Sequence, residues 1–259
     1  ATIVVPDYFS LKGQFILLRD GVVVWVKSGI GVAVAIAISP NNEYVVSASY
    51  DKDKGKARIT LYTINGVELW NTIVKGYPFH VDVSDNGEVL LVNDLVADLF
   101  VTPFLSGASK IFFIVKGRVL WDKDYYPYAE FTRNGDRVIA VRKELEFGDW
   151  SVYVFDRGGK FLWNYRGASH FAVSDNYYVL RGDKGVVLVS TKGEVLQRIW
   201  FSELKEDTRI VDVKISPNGR YFTVEVIDSK EGICRFYFYE NRDPLIRSIK
   251  ERLLKEIDE

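Results

Sequence analysis

The 259-residue sequence predicts an all-β fold: a β-propeller of four-stranded antiparallel blades, six blades favoured over five, with a C-terminal amphipathic helix. Three observations predict it. A tight-turn signature recurs along the chain, a Gly-to-Trp signature alternates with it, and four short apolar-alternating runs fall between successive copies.

The turn signature reads Ser39-Pro40-Asn41-Asn42, Ser84-Asp85-Asn86-Gly87, Thr132-Arg133-Asn134-Gly135, Ser174-Asp175-Asn176-Tyr177 and Ser216-Pro217-Asn218-Gly219, its hydroxyl residues 45, 48, 42 and 42 apart. Hydroxyl and carboxylate side chains bond nearby backbone, and Asn and Gly accept the left-handed conformation that a tight hairpin needs. The second signature places Trp four residues after a turn Gly: Gly21 to Trp25, Gly66 to Trp70, Gly117 to Trp121 and Gly159 to Trp163. A fifth copy, Gly193 to Gln197, lacks the ring.

Each repeat holds four runs, a to d from the inside of a blade outward. In the second copy these are Val32–Ile38, Tyr44–Ser49, Ala57–Ile64 and Val67–Ile73. Sandwiches and simple barrels do not repeat four strands at a fixed period near 45 residues, so the period selects a propeller. The recurring Trp is expected as an apolar wedge in the widening gap between blades. The N-terminal segment reads as a partial copy, with Thr2–Val5 as b, Gln14–Arg19 as c and Val22–Val26 as d. The last copy supplies a, b and c at Ile210–Ile215, Tyr221–Ile227 and Ile233–Glu240. The propeller is therefore assigned to residues 1–240.

Residues 241–259 change period. Asp243-Pro244 is an N-cap followed by a first-turn proline, and Leu245, Ile249, Leu253 and Ile257 recur every four residues with Ile246 and Leu254 beside them. The expectation is a helix of about four turns, packed on the propeller or used for association, including self-association.

The chain resembles the broad superfamily of WD40-like and quinoprotein-dehydrogenase-like propeller repeats. The Ser-Pro-Asn-Gly-type turn and the Asn-Gly-Val-Glu-Leu-Trp-type ending carry the resemblance over nearly the whole chain. It implies architecture and little about activity, because such propellers host unrelated functions. There is no Gly-His dipeptide, and the one Trp-Asp pair, Trp121-Asp122, is not repeated. No quinone or other cofactor is expected, since only the blade pattern is shared.

Composition narrows the partners. Thirty-four Lys and Arg against 35 Asp and Glu, with a pI near 6.3, give no basic face for nucleic acid. The longest apolar stretch, Ile30 to Ile38, is far short of a membrane span, which needs about 20 residues. Ala1 leads into a short strand without a basic flank, so no secretory signal is read and a cytoplasmic location is expected. Scarce Gln and absent Met, beside plentiful Lys, Glu, Val and Ile, resemble thermophile composition. Cys234 is the only cysteine and is expected to be a small buried hydrophobe.

Chemistry-bearing residues are few. His80 and His170 occupy one register, four residues before the turn hydroxyl on strand a. Around the repeat that register reads Ala35, His80, Tyr128, His170 and Asp212, and two residues later Ala37, Asp82, Glu130, Ala172 and Lys214. Innermost strands can line a central channel, so His80, His170, Asp82, Glu130 and Asp212 are candidate ligands for a metal or polar molecule. The alternative is a set of side chains bonded to one another and to trapped water.

Gly29-Ile30-Gly31 opens a strand, not a helix, and so is no phosphate loop. Asp51 to Lys56 resembles the start of a calcium loop but reads as a solvated hairpin tip. No nucleophile motif is present, and an enzyme is not favoured.

The longest excursion, Asn93 to Ser109, is unusually apolar. Leu99, Phe100 and Phe104, with Tyr125 and Tyr126 one strand later, are the candidate partner-binding residues. The function expected is a non-enzymatic propeller that acts as a protein-interaction platform. The alternative is a ligand- or metal-binding propeller with its site in the channel.

Overall fold

The apolar alternation is realised as strands throughout. The computed structural model describes residues 2–6, 13–94, 109–132, 134–144, 148–201 and 207–241. Among them are twenty-two strands in six sheets and no helix. Of the segment 241–259 expected to hold the helix, all but Asn241 lies outside the described residues.

The first sheet runs β1 (Thr2–Pro6), β2 (Gln14–Arg19), β3 (Val22–Ser28). The second is β4 (Val32–Ile38), β5 (Tyr44–Asp51), β6 (Lys56–Thr63), β7 (Glu68–Lys75). The third is β8 (Tyr77–Val83), β9 (Val89–Asp94), β10 (Ser109–Val115), β11 (Arg118–Asp124). The fourth is β12 (Tyr128–Phe131), β13 (Arg137–Lys143), β14 (Trp150–Asp156), β15 (Phe161–Arg166). The fifth is β16 (His170–Val173), β17 (Tyr177–Arg181), β18 (Gly185–Ser190), β19 (Val195–Trp200), and the last is β20 (Thr208–Ile215), β21 (Tyr221–Asp228), β22 (Ile233–Glu240). Neighbours pair antiparallel in chain order, as tight hairpins allow.

Burial follows position in the sheet. The second strands of the four-stranded sheets are buried on both faces, as in Val45 to Tyr50 and Tyr177 to Leu180, whereas outer strands such as β3 and β7 expose most residues. Contacts divide the chain into two compact units, residues 1–142 with 154–161 and residues 143–153 with 162–259. In the first, Ile59, Leu61, Leu91 and Ile114 pack the second sheet against the third. In the second, Val179, Leu188, Phe222 and Val224 join the fifth sheet to the last. Each such side chain contributes about 1.5–3 kcal/mol by leaving water.

The turn hydroxyls act as the spacing implies. Ser39 Oγ accepts Tyr44 N–H (3.0 Å), Thr132 Oγ1 accepts Arg137 N–H (3.0 Å), Ser174 Oγ accepts Tyr177 N–H (3.1 Å) and Ser216 Oγ accepts Tyr221 N–H (2.9 Å). Each bond satisfies the first amide of the returning strand.

The recurring Trp does more than fill space. Its indole reaches forward to the next hairpin: Trp25 Nε1 donates to Ile64 O (3.0 Å), Trp121 Nε1 to Arg157 O (2.9 Å) and Trp163 Nε1 to Thr191 O (3.1 Å). The ring rests on that hairpin's glycine. A Cβ on Gly66 would stand 2.7 Å from Trp25, and one on Gly193 would stand 2.9 Å from Trp163. Gln197 occupies the same place on β19, and its Oε1 is buried with no hydrogen-bond partner.

β22 is the outermost strand of a three-stranded sheet. The corresponding strand β6 is covered by β7 and largely buried, but β22 pairs on its outer edge with no strand among the described residues. Phe236 and Phe238 are 59% and 79% exposed. Cys234, on the same strand, is exposed, which overturns its expected burial: no fourth strand among the described residues packs beside β22. The Asp51 tip is the solvated turn the sequence predicts, with Lys54 Nζ paired to Asp51 Oδ2 at 2.9 Å.

Candidate functional site: polar side chains on the first strands of the sheets

The first strands of the third and fourth sheets send alternate residues in opposite directions. On β8, Val81 and Val83 are buried while His80 and Asp82 are only partly so. On β12, Ala129 and Phe131 are buried beside half-buried Tyr128 and Glu130. The candidate channel residues thus share the polar face within each strand, and they divide between the two units.

In the first unit, His80 lies against Tyr128 with ring centroids 5.0 Å apart. The Tyr128 hydroxyl donates to the Glu130 carboxylate. Asp82 links the two strands, because its Oδ2 accepts Phe131 N–H at 2.8 Å while Oδ1 accepts Val83 N–H at 2.8 Å. Burial lowers the His80 pKa, and the negative charge of Asp82 and a bond to the Ala129 carbonyl oppose the shift. The ring is held neutral, with Nε2 buried and without a hydrogen-bond partner.

In the second unit, His170 Nε2 lies 3.4 Å from Asp212 Oδ1, and Lys214 Nζ lies 3.1 Å from Asp212 Oδ2. Burial lowers the His170 pKa, the Arg181 cation lowers it further, and Asp212 opposes both. Arg181 donates to the Val211 carbonyl and, at 3.1 Å, to Ser169 Oγ. Sequence reading missed Arg181, which ends the otherwise buried apolar strand β17. That cation after four buried residues was its only signal.

Within each unit, no group of three or more His, Cys, Asp or Glu side chains among the described residues gathers to hold a metal ion. The arrangement offers neutral imidazoles and carboxylates already bonded to backbone. It can hold a polar ligand by hydrogen bonds, whereas Ser169 Oγ, engaged by Arg181, is not aligned with a base.

Of the candidate partner residues, Leu99, Phe100 and Phe104 lie outside the described residues. Tyr125 is 50% exposed at φ +71°. Tyr126 is 6% exposed, packed edge-on against Phe155 at 5.6 Å, so it belongs to the core rather than to a contact surface. The Arg142 guanidinium stands over both rings, at 5.8 and 5.9 Å. No helix among the described residues is long and apolar enough to cross a membrane.

No family model matches the chain, and no curated protein matches it. Solved structures do. The β-propeller domain of the Trilobed protease from Pyrococcus furiosus, which has an open velcro topology, aligns at TM-score 0.59 and 11% identity, over 89% of this chain and 73% of that one. Hydrazine synthase from Kuenenia stuttgartiensis aligns at TM-score 0.56 and 15% identity, over 88% of this chain and 74% of that one. Prolyl oligopeptidase B from Galerina marginata aligns at TM-score 0.57 and 10% identity, over 89% of this chain but 39% of its own length. These likenesses establish the β-propeller fold that the repeat predicts. At such identities they establish the fold alone.

Proposed function

We propose that this chain is a non-enzymatic β-propeller that serves as a protein-interaction platform, its six sheets acting as six blades. The observation that carries this reading is β22: an eight-residue strand whose outer edge pairs with no strand among the described residues, with Phe236 and Phe238 exposed. An open edge of aromatic residues is a template for another strand or an apolar surface. The apolar excursion Asn93–Ser109 and the terminal segment 241–259, read as a helix, are the further contact elements. The test is affinity capture from the native host with the full chain and with Phe236→Ser/Phe238→Ser. A partner retained by the native sequence and lost by the variant supports the reading; equal capture by both removes β22 from it.

A second reading rests on His80. A buried imidazole nitrogen without a partner is an acceptor awaiting a donor, and Asp82 and Glu130 lie in the same unit. In this reading the polar faces of β8 and β12 bind a polar ligand or a divalent ion within the first unit, and His170 with Asp212 offers a separate polar pair within the second. Zinc titration followed by thermal melting tests it. A midpoint that does not respond to zinc, or responds equally in His80→Ala/His170→Ala, ends the metal version.

A further inference from the structure

Tyr165 on β15 and Trp200, the last residue of β19, line a cavity of about 320 Å³ in the second unit. Leu180 and Val187, both buried, lie at its base. Small-molecule sites have this make-up: an apolar lining, aromatic surface and a few polar groups, in volumes from about 300 Å³ upward.

Bare backbone makes the space. Gly182 N–H donates to Gly185 O (2.9 Å) and closes the hairpin between β17 and β18. A Cβ on Gly182 would stand 2.6 Å from the Gly167 carbonyl oxygen. One on Gly185 would stand 2.7 Å from Ile199 O and 2.8 Å from the Trp200 ring. Gly185 is also the residue directly opposite Trp200 in the β18–β19 pairing. The indole therefore rests on a residue without a side chain and keeps 64% of its surface exposed. Tyr165 is fixed from behind, its hydroxyl accepting from Arg198 at 2.9 Å.

Charge decides what fits. Arg166, Asp183 and Lys184 also line the cavity, two cations against one carboxylate. Asp183 already acts on the neighbouring Arg181 cation. Lys184 is held in place through its own carbonyl, which accepts Phe201 N–H at 3.0 Å.

We propose that this cavity binds a small aromatic carboxylate, its ring covering the Trp200 indole above Leu180 and Val187 and its carboxylate meeting the Lys184 and Arg166 rim. The site is independent of both β22 and the histidines. The test is calorimetric titration of the full chain with 2-naphthoate and, separately, with the matching naphthylmethyl-trimethylammonium cation. Saturable binding of naphthoate, weakened about tenfold by Trp200→Ala and by Lys184→Glu, is expected, with little binding of the cation. Trp200 is exposed, so an unchanged urea midpoint will show that its variant folds. No saturable binding of naphthoate, equal affinity for the cation, or affinity untouched by either substitution overturns the proposal.

Discussion

The indole of Trp121 rests on Gly159 so closely that a Cβ on the glycine would stand 2.9 Å from the ring. Its Nε1 bonds the carbonyl of Arg157, two residues earlier in the same hairpin. One side chain thus specifies both the contact and the hairpin it reaches.

Gly159→Ala meets two obstacles, φ of +79° and the Trp121 ring. A loss of about 2–3 kcal/mol is expected by urea denaturation. Gly148→Ala, at φ +71° with nothing within 4 Å, separates the terms and should cost only about 1 kcal/mol.

Replacing the indole by a phenyl ring removes the N–H together with part of the ring volume. Trp121→Phe should cost about 0.5–1.5 kcal/mol beyond its volume change. At Gln197 the sign reverses. Its Oε1 is buried without a partner, so Gln197→Leu should raise stability by about 1 kcal/mol, read as a later thermal midpoint.

The repeat was legible because its parts are local: a hydroxyl three to five residues before the amide it accepts, a glycine at positive φ, an alternating run. The forward reach of Trp25, Trp121 and Trp163 was not, since it joins residues 39, 36 and 28 apart in different sheets. The same holds for Cys234. An apolar alternating strand reads as buried, but β22 is the outermost strand of its sheet among the described residues and Cys234 on it is exposed. At the candidate site, the shared register of His80 and His170 was visible, but Arg181 enters from the second strand, where register on the first gives no clue.

Acid should loosen the fold through the two histidines. Burial lowers both pKa values below the ordinary 6.5, so the unfolded chain binds protons that the folded chain refuses. Their stabilising effect is present above pH 6.5 and is lost as pH falls from there through the lowered folded values. The native chain should melt progressively earlier between about pH 7 and pH 5, and His80→Gln/His170→Gln should flatten that slope. Equal slopes would show that neither imidazole matters.

Glu88 is a buried carboxylate paired with half-exposed Arg157, and burial raises its pKa against the pull of that cation. Arg157→Ala leaves the charge buried alone and should cost about 1–2 kcal/mol at neutral pH, solvent screening having reduced the pair's worth. The deficit should shrink in acid, because a raised folded pKa contributes stability that is lost only as pH rises through it. Glu88→Gln should cost less than Arg157→Ala in chemical denaturation, since it removes the buried charge itself.

Because the indoles of Trp25, Trp121 and Trp163 bond to the copy that follows, coupling along the chain has a polarity, and these links are nearest-neighbour. Gain or loss of one whole repeat leaves the remaining links intact, so such an array lengthens or shortens by duplication in single steps. An excision that begins inside a repeat instead strands an indole with no hairpin to grip. Gln197 is the break in this relay: it stands at the recurring position without a ring, and its Oε1 is buried without a partner.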